Sequence, residues 1–460
     1  MKTKPPTILR FYLMAILTGM AAGAGAALFN AFIALFHNLF FLGSWSFHYD
    51  WLRPTPPSFW GVGVIGVPVV GGLLVTWIIR RLAPEAQGAG VQEILRNLFL
   101  DHAALRPSLS AWRPVATSIS IGSGASVGHE GPIMQLGAVY GDLLATLARL
   151  AGWQRDTLLA CGAAAGTAAL FHAPWGGLVF ALEILSPAGE WRRVAPVFLA
   201  SFAGSWMISA LGKGFPGFAL AIPASGSWWA YMGLGLGCGA GAALFLAVLS
   251  ALGGAFRAFP DNPYWRHGVA MAILGILIYL VLVQTGQYHV EGVGFATIAE
   301  VLAGGLRHPW LLFSLFLLKL LVTALTLGSG GSGGTFSPAL FLGATFGAGT
   351  AIVAQAVFPG LDLNPILGAV VGMASFSAAA TGAVLGSALI AAEMVGGMGV
   401  LPLLAPACIL AWTVRRLVLK RSTYTLELSW QGRPLAENLY LRIRDAYLTG
   451  RQKKGPGNDG

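Results

Sequence analysis

Two stretches of this 460-residue sequence carry the residue types that hold small anions without a metal. Residues 122–141 read GSGASVGHEGPIMQLGAVYG and residues 328–347 read GSGGSGGTFSPALFLGATFG. Each has a Gly/Ser run, then a Gly, three residues, a Pro and an apolar helical stretch. Proline is tolerated in the first turn of a helix, and Gly permits the tight non-helical approach before it, so both stretches read as a loop running into a helix N-terminus. Unpaired N–H groups and the positive end of the helix dipole there attract negative charge. The alternative is that the glycines only let helices pack closely, as in small-xxx-small interfaces. A duplicated Gly/Ser–Pro junction favours the anion site.

Glu130 sits inside the first junction, between His129 and Gly131, in otherwise apolar sequence. A carboxylate at the centre of a membrane costs roughly 2.5–3.5 kcal/mol, so it marks function by default. Beside an anion site made of N–H groups, its carboxylate is itself an anion and competes for the same donors. Protonation would neutralise it and release the site, linking anion movement to pH. The other reading is a Glu that caps its own helix. Enzymatic readings find little support. The His129–Glu130 pair lacks the second His of a zinc H-E-x-x-H, and the Ser cluster has no Ser-His-Asp constellation.

The elements that position these residues repeat. The two stretches align at a constant offset of 206 residues, with Pro132 on Pro338 and Gly141 on Gly347. Residues 161–185 align with 371–395 at an offset of 210, placing Glu183 on Glu393. The chain therefore divides into a first membrane repeat with its N-terminal segment (1–211), a connector (212–227), a second repeat (228–424) and a tail (425–460). Duplicated bundles with interrupted helices are a mark of transporters, whose sites lie where the repeats meet.

Composition agrees. The chain is 56% hydrophobic and 10% charged, with mean hydropathy +0.70, whereas a soluble domain carries about 25% charge. It reads as an all-α integral membrane protein that crosses the bilayer many times. The 63 Gly and 25 Pro imply broken or closely packed helices. The apolar run that begins at Phe11 exceeds a signal-peptide core, so it reads as a retained first helix. The net charge of +10 sits in short segments that flank apolar runs, which argues for membrane topology and against a nucleic-acid partner. Basic residues near both ends (Lys2, Lys4, Arg10; Arg415, Arg416, Lys420, Arg421, Arg451, Lys453, Lys454) place both termini in the cytoplasm by the positive-inside rule, with an even number of crossings. Cys161, Cys238 and Cys408 suggest neither a disulfide framework nor a zinc site. The polar segments 106–113 and 256–266 read as loops.

At these residues the sequence resembles the CLC family of chloride channels and chloride/proton exchangers, over nearly the whole chain. GHEGP at 128–132 looks like the family's G-K/R-E-G-P, which would make Glu130 its gating glutamate. GTFSP at 334–338 looks like its G-x-F-x-P, whose amides, here Thr335 and Phe336, would bind the anion. GAGVQ at 88–92, followed by Glu93, looks like a degenerate G-S-G-I-P, and Tyr424 sits where the family's pore tyrosine offers a hydroxyl. The resemblance thus places the anion among Ala89, Gly90, Gly131, Thr335, Phe336 and Tyr424. It implies a CLC-type inverted repeat and a homodimer with one pore per subunit, set in lipid in a bacterial inner membrane. No cofactor, metal or soluble regulatory pair is implied. The function it implies is movement of chloride or a similar small anion, with chloride/proton antiport as the alternative and an intramembrane enzyme as a remote one.

Departures from the family pattern sharpen the reading. Ala89 replaces a serine or proline that helps choose chloride or nitrate, and Gln92 replaces a proline. His129 replaces Arg or Lys, so local positive potential would be weaker near neutral pH. Ile184 falls on the position of the exchangers' inner proton-carrying glutamate, just after Glu183, and isoleucine carries no proton. That tilts the reading toward passive conduction or weak coupling, unless water or Glu183 substitutes. Glu183 and Glu393 have a structural alternative, as carboxylates that cap or bridge neighbouring helices.

Overall fold

The computed structural model describes residues 7–101, 105–150, 152–185, 191–218, 226–258, 261–430 and 435. Residues 219–225 of the expected connector, residues 431–434 and 436–460 of the expected tail, and the basic residues Lys2, Lys4, Arg451, Lys453 and Lys454 lie outside the described residues. The first half holds α1 (Ile8–His37), α2 (Gly66–Arg81), α3 (Val91–Arg96), α4 (Ser108–Gly122), α5 (Glu130–Leu147), α6 (Trp153–Phe171), α7 (Pro174–Leu185) and α8 (Val194–Ala210). The second holds α9 (Trp228–Ala258), α10 (Pro263–Thr285), α11 (Phe295–Leu302), α12 (Pro309–Gly328), α13 (Phe336–Val357), α14 (Pro365–Thr381), α15 (Val384–Met394) and α16 (Leu401–Val418), with α17 (Thr423–Trp430) after it.

The order of long and short helices repeats, and so does the packing. α1 lies on α4, α6 and α8 as α9 lies on α12, α14 and α16; α5 lies on α6 as α13 lies on α14. At 1.5 Å per residue the 12-residue α7 and 11-residue α15 reach less than about 20 Å, short of a hydrocarbon core of about 30 Å. They are the broken helices the Gly and Pro content implied. Among the described residues, 8 helices are long and apolar enough to cross a membrane. Local signals set several starts: Asn262 and Asn364 accept the N–H groups of Tyr264 (3.0 Å) and Ile366 (2.8 Å), each with a proline at the first helical position. The close crossings are also copied. A methyl on Gly162 would collide with the carbonyl of Gly137, and one on Gly372 with that of Gly343.

The two halves meet head to head. Gly128 and Gly334 exchange main-chain hydrogen bonds of 2.8 and 2.6 Å, so the starts of α5 and α13 face each other across an approximate two-fold. The seam obeys the same symmetry: Ser126 pairs with Thr323 at 2.8 Å, and Thr117 with Ser332 at 2.9 Å. The arrangement is an all-α inverted repeat of two helical bundles.

Two details were not readable from local pattern. Glu183, near the end of α7, accepts the N–H groups of Leu385 (3.0 Å) and Gly386 (2.9 Å) at the start of α15. Glu393, near the end of α15, accepts those of Trp175 (3.1 Å) and Gly176 (2.6 Å) at the start of α7. Each carboxylate thus caps the short helix of the other half, as negative charge favours a helix N-terminus. The expectation of a loop over 106–113 is corrected, because α4 begins at Ser108 and includes the buried Arg113. Arg113 is tolerated there because its guanidinium donates to the carbonyls of Gly88 (2.9 Å) and Gln87 (3.5 Å). Likewise α9 runs on to Ala258 and α10 starts at Pro263, so the expectation of a loop over 256–266 is corrected at both of its ends.

Candidate functional site

Glu130 is the first residue of α5 and is 1% exposed. Its carboxylate crosses the seam. Oε1 accepts the main-chain N–H of Phe336 at 2.5 Å, and Oε2 accepts the hydroxyl of Ser337 at 2.9 Å, both from the first turn of α13. These are the residues that the 206 offset places on Glu130 and Gly131 themselves. The niche exists because Gly128 and Gly334 flank it: a methyl on Gly128 would strike Oε2, and one on Gly334 would strike Oε1. Glu130 therefore does not cap its own helix. It borrows the donors of the facing one. His129 lies alongside, with Nδ1 3.3 Å from Ser337 Oγ and 3.8 Å from Glu130 Oε2, among the rings of Trp51, Phe171 and Phe295.

The other residues picked out by sequence gather next to this carboxylate. Thr335 and Phe336 are buried at the start of α13. Tyr424 is buried in α17, and the Phe180 ring joins it to Phe336, with centroids 6.4 and 5.3 Å away. Tyr424 and Glu130 are close enough to interact electrostatically. The Tyr424 hydroxyl is buried without a hydrogen-bond partner among the described residues. Ala89 and Gly90 lie against Gly131, where a methyl would overlap the Ala89 carbonyl. Gly90 caps α3 at φ +87°, a conformation that favours glycine. Ile184 sits apart from these donors in character: it is an apolar residue of α7, 5% exposed, and its neighbour Glu183 is held as a helix cap.

Sequence reasoning missed three participants. Ser337 supplies the hydroxyl on Glu130, and its signal was present in the GTFSP motif. Gln135, one turn into α5, is fully buried, with neither amide atom partnered among the described residues and its Oε1 close to Gly90. Phe180 seals the space between Phe336 and Tyr424. The chemistry of the set is uniform: N–H and O–H donors converge on negative charge, with apolar rings excluding water between them. A halide, which only accepts hydrogen bonds, takes the same donors as a carboxylate.

Two of the cavities border the loops that lead into α3 and α11. One of about 470 Å³ is lined by Gln92, Arg96, Arg113, Arg257, Arg266 and Glu427. The other, of about 40 Å³, is lined by His37, Tyr49, Trp51, Tyr288, His289 and Glu291.

A family profile described as "voltage gated chloride channel" matches residues 71–416. The chain is 28% identical over 385 residues to the "H(+)/Cl(-) exchange transporter ClcA" of Vibrio parahaemolyticus, covering 80% of each chain. It is 30% identical over 377 residues to a "putative chloride channel protein ClcB-like" of Ralstonia nicotianae, covering 79% of this chain and 85% of that one. Its fold matches the crystal structure of a slow cyanobacterial Cl-/H+ antiporter with a TM-score of 0.80 at 22% identity, over 93% of this chain and 99% of that one.

Proposed function

The chain belongs to the CLC family of voltage gated chloride channels and is a membrane transporter of small anions rather than an enzyme; on that basis we propose that it moves chloride past Glu130, whose carboxylate is the gate. One observation carries this reading. The Glu130 carboxylate occupies the Phe336 N–H and the Ser337 hydroxyl, the donors a dehydrated chloride needs, and both come from the opposite repeat. When Glu130 is ionised it excludes the anion from that position. When it is protonated its demand for donors falls, and chloride takes them. Deeper in the passage the Tyr424 hydroxyl, the Thr335 and Phe336 amides, and the backbone around Ala89, Gly90 and Gly131 receive the ion. Two copies of the chain form a homodimer with one such pore in each, in a bacterial inner membrane with both termini cytoplasmic. The basic ends and the arginine-lined cavity support that orientation.

Exchange of chloride for protons is the second reading. It is favoured by the exchange activity for which the Vibrio relative is named and by the protonatable gate; Ile184 speaks for passive conduction.

Flux from liposomes carrying the purified protein tests both. Chloride efflux should rise in acid, and Glu130→Gln should give fast efflux that no longer responds to pH. Unchanged pH dependence in Glu130→Gln removes Glu130 as the gate. Uphill proton uptake driven by a chloride gradient identifies exchange, and its absence during chloride efflux identifies conduction.

A further inference from the structure

Tyr424 and Glu427 are three residues apart on α17 and so share one helical face. Glu427 is partly buried at the floor of the arginine-lined cavity of about 470 Å³. Its Oε2 accepts the side-chain amide N–H of Gln92, and its carboxylate interacts electrostatically with Arg113. It lies so close over Gly88 that a methyl there would meet Oε2. Gln92 Oε1 is buried and without a hydrogen-bond partner among the described residues, on a residue 5% exposed. The arrangement reproduces, with different residues, what surrounds Glu130: a carboxylate seated on an amide N–H, beside a glycine that makes room for it.

We propose that Glu427 is a second gating carboxylate, which closes the passage between the arginine-lined cavity and the Tyr424 hydroxyl. This rests on the reading of the passage as an anion path. A chloride drawn into the cavity by its arginines reaches Tyr424 by way of Ala89 and Gln92, and Glu427 holds the Gln92 amide donors. Glu427 must leave them, and it does so on accepting a proton from cavity water, becoming a neutral carboxylic acid. Two carboxylates then bound the dehydrated stretch of the path, one at each end. The charged and titratable groups around Glu427 are Arg113 of α4, Glu93 and Arg96 of α3, Arg257 of α9 and Arg266 of α10, with Tyr424 and Arg421 toward the start of its own helix. Glu93 is the other acid on the cavity wall, and it is bound to Arg96 at 2.6 Å.

Chloride efflux from liposomes, measured from pH 4.5 to 7.5 for wild type, Glu427→Gln, Glu427→Asp, Glu93→Gln and Glu130→Gln, decides the matter. In Glu427→Gln, efflux at pH 7.5 should rise severalfold and its acid activation should shrink. Glu427→Asp, with a shorter reach but the same charge, should be faster than wild type while keeping its acid activation. Glu93→Gln, which alters the charge of the cavity but not the donors under Glu427, should keep the acid activation of wild type. Wild-type rates and pH profiles in both Glu427 variants, with Glu130→Gln altered, overturn the second gate and leave the first in place. No response in any variant, Glu130→Gln included, overturns the anion-path reading along with it. If Glu427→Gln does not survive purification, a wild-type profile in Glu427→Asp is by itself enough to reject the proposal.

Discussion

The loops that lead into α3 and α11 are copies of one another with opposite surroundings. Each ends in a glycine that caps its helix at positive φ, Gly90 at +87° and Gly294 at +86°. Each is held by a buried cation reaching from the helix that follows in its own half. Arg113 donates to the carbonyl of Gly88, and Lys319, 206 residues later, donates to the carbonyls of Val290 (3.0 Å) and Gly292 (2.7 Å). Each also bonds the Gly/Ser run of the other half: the Gly88 N–H donates to Gly331 at 3.1 Å, and the Gly292 N–H to Gly124 at 3.2 Å. Beyond that scaffold the copies diverge. The first loop opens on a large cavity ringed by arginines, whereas the second faces a small one closed by Tyr49, Trp51 and Tyr288. The starts of α5 and α13 differ likewise, Glu130 standing where the second copy has Phe336. Duplication supplied the frame, and a few unpaired substitutions gave the passage its direction and its gate.

The strongest way to break this comparison is to fill the niche that both copies share. Gly334→Leu puts a side chain where the Glu130 carboxylate rests, and overpacking such a site should lower chloride efflux by about tenfold to a hundredfold. Gly128→Leu should match it, because the two glycines flank the two carboxylate oxygens. A defect in only one variant would show that the niche belongs to a single repeat. Next in size are the paired cations. Arg113→Met and Lys319→Met each strip donors from buried carbonyls, and each should cost about 1–3 kcal/mol of stability in thermal unfolding of the detergent-solubilised protein. Only Arg113→Met should also change efflux, since Arg113 borders the arginine-lined cavity; equal flux defects would erase the asymmetry of the mouths.

Smaller effects sharpen the path between them. Tyr424→Phe removes a hydroxyl that has no hydrogen-bond partner among the described residues, so stability should hold. Chloride affinity by calorimetry should fall about 2- to 12-fold, the worth of one hydrogen bond. Ala89→Ser adds a donor where the chain has none, and it should raise the chloride-to-nitrate permeability ratio by about twofold in reversal-potential measurements. An unaltered ratio places Ala89 outside the selective stretch.

How much of this the sequence revealed depended on whether a feature was local. The repeat was legible because the loop-to-helix junctions need Gly, Ser and Pro at fixed spacing, and no other residues make that turn. Glu130 was legible because a carboxylate in apolar sequence demands a reason. Its partners were half visible: Phe336 followed from the motif, while Ser337 stood in the same motif but gained its role only once the two-fold brought it to the Glu130 carboxylate. Arg113 looked like part of a polar loop because the carbonyls that bury its charge lie 25 residues away. Glu427 gave no signal at all, since its position past Tyr424 suggested a tail, and only the packing of α17 against α3 gives it neighbours. Glu183 and Glu393 could be paired by alignment but not given partners, because each serves the other half.

That reciprocity bears on how the chain is made. The acid that finishes α7 arrives with the second half of the polypeptide, and the one that finishes α15 has been waiting since the first. A ribosome that released only the leading segment would leave a short coil with bare amides inside the lipid, and the trailing segment would meet the same fate. Cut within the link between them, the two fragments would have to be supplied together, each lending the missing stopper to its counterpart.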